Sequence, residues 1–258
     1  MPAFDPHKPS IARVYDYLVG GKDNFEADRE LADRLAAISP SVMVTFRENR
    51  EFLDRAVTWV AGQGISQFID LGCGLPTKPS TQDSAQAIVP DARIVYVDND
   101  PIVASHLGAS VHHDETATFL DMDVDDAGGV LAAAARHVDL AQPVCLLMGA
   151  LLHFYEADAG RDLVARYVAA LAPGSYVAIT AGQSEPGEET DRMVAMYSAG
   201  PHPIHLHPAE DFAALFGDLE LVPPGVTDAR VWRPNWTDVP PPAPRATWTI
   251  VGLGRVRP

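Results

Sequence analysis

Residues 65–100 read ISQFIDLGCGLPTKPSTQDSAQAIVPDARIVYVDND, in which strand, glycine turn, helix and strand follow one another. Phe68-Ile69 runs into Asp70-Leu71-Gly72-Cys73-Gly74, and Ile94-Val95-Tyr96-Val97 runs into Asp98. A short apolar run that ends in a carboxylate and a G-x-G turn fits the carboxyl edge of a buried parallel strand. Glycines serve there because a ligand can then approach the backbone more closely than a Cβ would permit. Asp98, closing the next strand, is placed to accept from two ribose hydroxyls. The pattern predicts a nucleoside site at one edge of an α/β sheet.

The glycines narrow the choice of nucleoside. A dinucleotide fingerprint is G-x-G-x-x-G, its third glycine letting helix and strand pack closely. Here Thr77 holds that third position, and Pro76 and Pro79 delay the helix. Both features weaken a diphosphate cradle at a helix N-terminus. Asp70 directly before the glycines argues against phosphate as well. A carboxylate at that point suits a cationic ligand with an amino group and a sulfonium, as in S-adenosylmethionine (SAM). The plain alternative is an ordinary α/β turn with two solvated aspartates.

At 258 residues and 47% apolar, the chain is long enough for one sizeable α/β domain and a helical extension. Nineteen basic against 35 acidic residues give a formal charge of −16. Such a surface repels phosphate backbones and argues against nucleic acid as a partner, while leaving a small molecule open. Cys73 and Cys145 lack the spacing of a metal knuckle and suit a reducing compartment. The opening MPAFDPHKPS has no apolar signal core, and no run approaches a membrane-spanning length. The expectation is a cytoplasmic protein that does not engage a membrane.

Residues 1–62 are expected to be helical and to form a lid segment, with the cofactor-binding domain spanning 63–258. Ser10 can cap a helix carrying Ile11, Val14, Tyr15 and Leu18 at i, i+3, i+4, i+7, ended by Gly20-Gly21. Asn24 can cap a second helix burying Leu31, Leu35 and Ile38, and a third runs from about Pro40 to Val60. Beyond Asp98, strands ending near Asp121, over Pro143–Met148 and over Ser175–Thr180 alternate with helices, which predicts right-handed crossovers and a mostly parallel sheet. Leu219–Val222 and Thr247–Val256 read as two last strands joined by a long Pro-rich connection.

ARVYDYLVGGKDNF (12–25), NREFLDRAV (49–57), QFIDLGCGLPT (67–77), ARIVYVDNDP (92–101) and LVPPG…WRP (221–234) together resemble a bacterial family of class I SAM-dependent methyltransferases of largely unassigned acceptor. The resemblance runs from about Ser10 to Gly254. It implies a Rossmann-like, seven-stranded sheet with an antiparallel last strand, SAM as cofactor and methyl transfer to a small molecule. The chain departs from the family at Thr81-Gln82-Asp83, where a His-Glu pair is more usual, so an acceptor-side role for that pair would not carry over.

Ligands of open α/β sheets bind outside the carboxyl ends of the strands, where strand order reverses. Five turns would then surround one crevice. Asp70 would face the amino acid moiety over the Gly72 and Gly74 backbone. Asp98 would hold the ribose, with Asn99 beside the adenine. Asp121 would accept from the adenine amino group, with Met122 packing on the ring or donating its N–H, while Asp123, Asp125 and Asp126 read as a solvated helix start. Gly149 and Ala150 are small enough for the methionine arm to lie on their backbone.

His153, just past a strand end, is a candidate general base near the transferring methyl, against a capping or core role. The block from Tyr15 to Asn24 reads either as a helix connector or as a lid, with Tyr17, Gly21 and Lys22 at the cofactor. Arg47, Asn49 and Arg50 could serve the same pocket. His202, His205 and His207 lack zinc-type partners, so no metal is expected and their loop is read as acceptor-side lining. Trp232, Trp236 and Trp248 read as packing residues, with Trp232 also able to wall an aromatic substrate. The residues leave two rival functions open: an NAD-linked oxidoreductase, opposed by Thr77 and Asp70, and a non-catalytic SAM-binding regulatory module.

Overall fold

Five parallel strands carry the site: β1 (Gln67–Leu71), β2 (Arg93–Asp98), β3 (Ala117–Asp121), β4 (Cys145–Met148) and β5 (Tyr176–Gly182), side by side in the order β3-β2-β1-β4-β5. They belong to a computed structural model that describes residues 5–184, 187–198, 203–232 and 248–257. Every residue of β1 and of β4 is buried. That explains why these strands read as continuous apolar runs, since both faces of the sheet are covered. Chain order reverses between β1 and its neighbours β2 and β4, opening a crevice at the tip of β1.

Alternate residues of each strand feed different cores. Phe68, Ile94, Cys145 and Ala178 pack with Phe52, Ala56 and Val60 of helix α3 (Val42–Gly62) on one face. Ile69, Val95, Leu146 and Ile179 face the other way, against α6 (Ala127–Ala134), α7 (Ala157–Val168) and Phe212. A third cluster joins α1 (Ile11–Leu18), α2 (Glu26–Ile38) and α8 (Glu188–Ser198) through Val14, Leu18, Leu35, Met193 and Tyr197. Helix α3 is shared: Val42 belongs to that outer cluster, while its later turns lie on the sheet.

The sheet ends as expected on an antiparallel strand, β8 (Thr249–Arg255), paired with β5 from Gly182 to Tyr176. The strand count differs from the expected seven. Beside β6 (Glu220–Leu221), a further two-residue strand, β7 (Thr227–Asp228), pairs with β8, making eight among the described residues. A two-residue strand inside a Pro-rich connection is too short to show alternation, so only its pairing defines it. Within that connection, residues 233–247 lie outside the described residues, Trp236 among them.

Two helix starts also differ. Ser10 occupies the N-cap position of α1 but makes no capping bond there; its hydroxyl donates to Asp100, 2.7 Å away. Helix α2 begins after Phe25, whose N–H is taken by Asp28 at 2.8 Å. Asn24 turns back instead and donates to Asp16 at 2.9 Å. Polar side chains near a helix start choose between local and long-range partners, and tertiary contacts decided both cases.

Candidate active site

The crevice at the tip of β1 is a cleft of about 640 Å³. Its floor is the turn after β1, where Gly72 and Gly74 hold φ of +64° and +65°, backbone that L side chains rarely adopt. The N–H groups of Gly72 and Cys73 both donate to the Val97 carbonyl, at 2.8 and 3.2 Å, which ties the turn to β2.

Two carboxylates flank this floor. Asp70 is 6% exposed and accepts from the Thr81 hydroxyl at 2.6 Å. Burial raises its pKa, opposed by the Thr81 bond and by the nearby Arg50 guanidinium. Arg50 reaches over from α3 and hydrogen-bonds the Thr77 hydroxyl. Asp98, half-buried at the end of β2, accepts from the N–H of Gly74 through Oδ2 and from that of Asp100 through Oδ1, each at 2.9 Å. Burial raises its pKa too, and these backbone bonds oppose the rise. One carboxylate oxygen has about two lone-pair sites, so each Asp98 oxygen keeps one for a ligand hydroxyl. The Cys73 thiol between the two acids is pushed well up by burial, then by Asp98 and Asp70. It is a neutral packing group.

Asp70, Gly72, Gly74, Asp98, Asn99, Met122, Gly149 and Ala150 are all brought to the cleft wall. The N–H of Met122 is already given to the Asp98 carbonyl at 3.1 Å, which leaves its side chain as what it can offer a ring. The smallness of Gly149 has a cause within the protein: Leu53 Cδ1 would lie 2.6 Å from a Cβ placed there. Ala150 holds φ +52°, with its N–H donated to Thr180 Oγ1 at 2.7 Å. That is a left-handed non-glycine beside the floor, the kind of local strain that gathers at functional sites.

Five sequence-derived candidates lie away from this cleft. Tyr17 points to α2 and donates to Asp33 at 3.3 Å. Lys22 is exposed to solvent. Gly21 is packed on the Asp16 carboxylate, which fills the space of a Cβ. Asp121 is exposed at the tip of the edge strand, outside the lining. His153 opens into a separate chamber described below. The N-terminal segment instead reaches the cleft through residues 5, 8–13, 15 and 16, Ser10, Arg13, Tyr15 and Asp16 among them. Tyr17 is absent from that lining because its side chain is turned to α2, where Asp33 holds its hydroxyl.

Other contributors had no clear sequence signal. Asp100 caps α5 (Pro101–Ser110) through the Ile102 N–H at 2.8 Å while accepting from Ser10, ninety residues earlier. Asp123 and Asp125 line the cleft, and Asp125 accepts from the Tyr155 hydroxyl at 3.0 Å; Asp126 serves only as the cap of α6. Arg13 forms a fully buried ion pair with Asp28 at 2.9 Å, and the Ser10 N–H donates to the same aspartate at 2.9 Å. These bonds dock α1 across the cleft.

A smaller chamber of about 80 Å³ adjoins the cleft, with Tyr15, Asn49 and Ala150 common to both. His153 lies in its wall, its pKa lowered to about 4 by burial and by the neighbouring His207. Of the histidine-rich loop it is Ile204 and Leu206 that line the chamber. His207 is buried, and its Nε2 donates to the Leu152 carbonyl at 3.0 Å; His202 lies outside the described residues. Among the described residues no three His, Cys, Asp or Glu side chains are grouped to hold a metal ion. Trp232 is fully buried against Phe52, ring centroids 5.1 Å apart, and lines neither the cleft nor the chamber. No helix among the described residues is long and apolar enough to cross a membrane.

A mostly parallel sheet closed by an antiparallel strand, with acids at the tips of β1 and β2 around a glycine floor, defines a class I methyltransferase. Residues 1–257 match the family model described as S-adenosyl methyltransferase, and the chain belongs to that family. It is an enzyme that uses SAM as methyl donor. A crystal structure of a candidate methyltransferase from Thermobifida fusca YX is 38% identical, with a TM-score of 0.93, the match covering 100% of this chain and 98% of that one. A DUF574 family protein from Streptomyces avermitilis MA-4680 is 33% identical, with a TM-score of 0.92 and coverage of 98% and 99%. Human N-acetylserotonin methyltransferase, solved in complex with SAM, shares the fold at 13% identity and a TM-score of 0.51, over 98% of this chain and 64% of that one. No curated protein matches the sequence. Neither the oxidoreductase nor the regulatory alternative finds support among these relatives.

Proposed function

We propose that the cleft holds SAM and that the adjoining chamber receives a small-molecule acceptor. The observation that carries this reading is Asp98. Both of its oxygens are oriented by backbone N–H donors, and each keeps one acceptor site for a vicinal diol. The donor set fits the rest of the cofactor. Asp70 matches an ammonium group, Met122 offers an apolar surface to a ring, and the Gly72–Gly74 backbone leaves room for close approach. The acids at this turn would repel a diphosphate.

When bound, SAM supplies a methyl group on a sulfonium, already activated for in-line displacement. What the chain contributes is position, which can account for much of such a rate. Tyr15, Asn49 and Ala150, shared by the two cavities, mark where donor and acceptor would meet. His153 is neutral at pH 7 and faces the acceptor side. As a free base it is weak. It can nevertheless take the proton of an acceptor group that turns strongly acidic as its new bond to carbon forms. Helix α1, docked through Ser10 and Arg13, covers the cofactor as the lid. We place the enzyme in the cytoplasm, where the two unpaired buried thiols, Cys73 and Cys145, are at home, and take no nucleic acid as its acceptor.

Calorimetric titration with SAM, S-adenosylhomocysteine (SAH) and NAD tests the reading. SAM and SAH should bind and NAD should not. A ligand at 100 times its Kd raises stability by about 2.7 kcal/mol, so a thermal shift reads the same contrast. Binding of NAD in preference to SAH would overturn the assignment.

A further inference from the structure

Tyr15 and Asn49 stand at the boundary of cleft and chamber, and their hydrogen bonds determine which way the Asn49 amide is turned. The Tyr15 hydroxyl has one proton, which goes to the Phe46 carbonyl at 3.2 Å. It must therefore accept from Asn49, whose amide nitrogen lies 2.7 Å away. The amide oxygen Oδ1 is thereby turned away from Tyr15. It is buried and has no hydrogen-bond partner among the described residues, on a side chain only 3% exposed. His153 Nδ1, in the chamber wall, is buried and unpartnered in the same way. Buried polar atoms left unpaired cost about 1–3 kcal/mol each, and native interiors keep few of them. Both atoms are closed off in this conformation but belong to side chains that line the chamber, and they point to a ligand whose entry turns those side chains and satisfies them.

The remaining wall selects the rest of that ligand. Phe46, Met193, Tyr197, Ile204, Leu206 and Trp248 present mainly apolar surface. Among the described residues no Asp, Glu, Lys or Arg lines the chamber. A charged group placed there would be desolvated with no counter-charge. At about 80 Å³ the chamber is well above the space of one water but about half the ~150 Å³ cavity that admits benzene. It therefore takes a short alkyl group or the edge of a ring, with the rest of the molecule across its mouth.

We infer that the acceptor is an uncharged, mostly apolar molecule that places its apolar end in this chamber and donates an O–H or N–H at the mouth to Asn49 Oδ1, with His153 Nδ1 as the second polar atom it satisfies. The inference rests on the reading of the large cleft as the cofactor's. It excludes carboxylates, phosphates and amines that are cationic at pH 7 as the inserted group.

The test uses 4-methylphenol as neutral probe and 4-methylbenzoate as its anionic counterpart of similar shape. Each is titrated by calorimetry into the full chain, once with SAH present and once without. The phenol should bind at least tenfold more tightly than the benzoate in both series. Asn49→Leu should remove most of that preference, and Ile204→Phe, which fills the chamber at a distance from the cleft, should weaken the phenol while leaving SAH affinity unchanged. Equal binding of the two probes, or preference for the benzoate, overturns the inference; so does a wild-type response from Ile204→Phe. The contrast between probes on the unmodified protein stands even where a variant fails to fold. Failure of SAH to bind removes the cofactor reading alone, because the series without SAH still judges the chamber.

Discussion

The Thr81 hydroxyl donates to Asp70 Oδ2 at 2.6 Å, joining the first turn of helix α4 (Thr81–Gln86) to the tip of β1. The same helix is capped by Ser80, whose hydroxyl accepts from the Asp83 N–H while Asp83 accepts from the Ser80 N–H. Thr81 and Asp83 thus both act within the protein. Thr81 orients a buried carboxylate, and Asp83 closes a capping box. Thr81→Val is expected to leave Asp70 without its neutral donor and to weaken SAM binding by about 1.5–3 kcal/mol. Calorimetry on the purified variant checks it; an unchanged affinity would mean that the Thr81 bond does not position Asp70 for the cofactor.

Asp98→Ala is expected to remove two hydrogen bonds to the ribose and weaken SAM binding by ~2–3 kcal/mol. The structure adds a second cost, since Asp98 also accepts from the N–H groups of Gly74 and Asp100. The variant should therefore lose about 1–2 kcal/mol of stability as well. Urea unfolding beside calorimetry separates the two losses. Wild-type affinity in this variant would refute the ribose assignment.

Asp28 is fully buried and serves Arg13, the Ser10 N–H and the Phe25 N–H together. Replacing it with Ala strands the Arg13 charge in the interior and should destabilise the protein by about 3–5 kcal/mol. Helix α1 should loosen first, so limited proteolysis is predicted to cut near residues 5–20 in the variant and to spare them in the wild type.

His153 supplies a pH signature. Its pKa in the folded protein, lowered from 6.5 to about 4, means that folding favours the neutral ring. This contribution is fully present above about pH 6.5 and is lost as the pH falls toward 4. It is worth on the order of 3 kcal/mol at 1.36 kcal/mol per pKa unit. Asp70 and Asp98, whose pKa values burial raises, act in the opposite sense: their protonation on acidification favours the fold. The difference between wild type and His153→Phe, followed by urea midpoints from pH 7 to 4.5, isolates the histidine. Wild type should lose stability faster than the variant on acidification, and parallel curves would place His153 in contact with solvent.

The sheet was legible because parallel strands buried on both faces must be apolar throughout, as in Phe68–Ile69 and Cys145–Met148, and because glycines after a strand end suit a turn that a ligand approaches closely. Helix orientation was not. Tyr15 and Tyr17 are equally aromatic and only two positions apart, and a periodic pattern records an apolar face without saying what lies opposite it. His153 shows the same limit, since its distance from a strand end was readable but the chamber it enters is built from seven separate stretches.

By itself, then, the sequence determined the α/β order, the crevice at the tip of β1 and the two acids, Asp70 and Asp98, that flank it, because hydrophobic burial and backbone conformation are imposed residue by residue. Only the tertiary structure decided that Ser10 would reach Asp100, that Asn49 would be turned by Tyr15 and leave an unpaired oxygen, and that Thr81 would hold Asp70. Each of those bonds joins residues at least eleven positions apart. Their partners are chosen by how whole helices pack, and no local pattern carries that information.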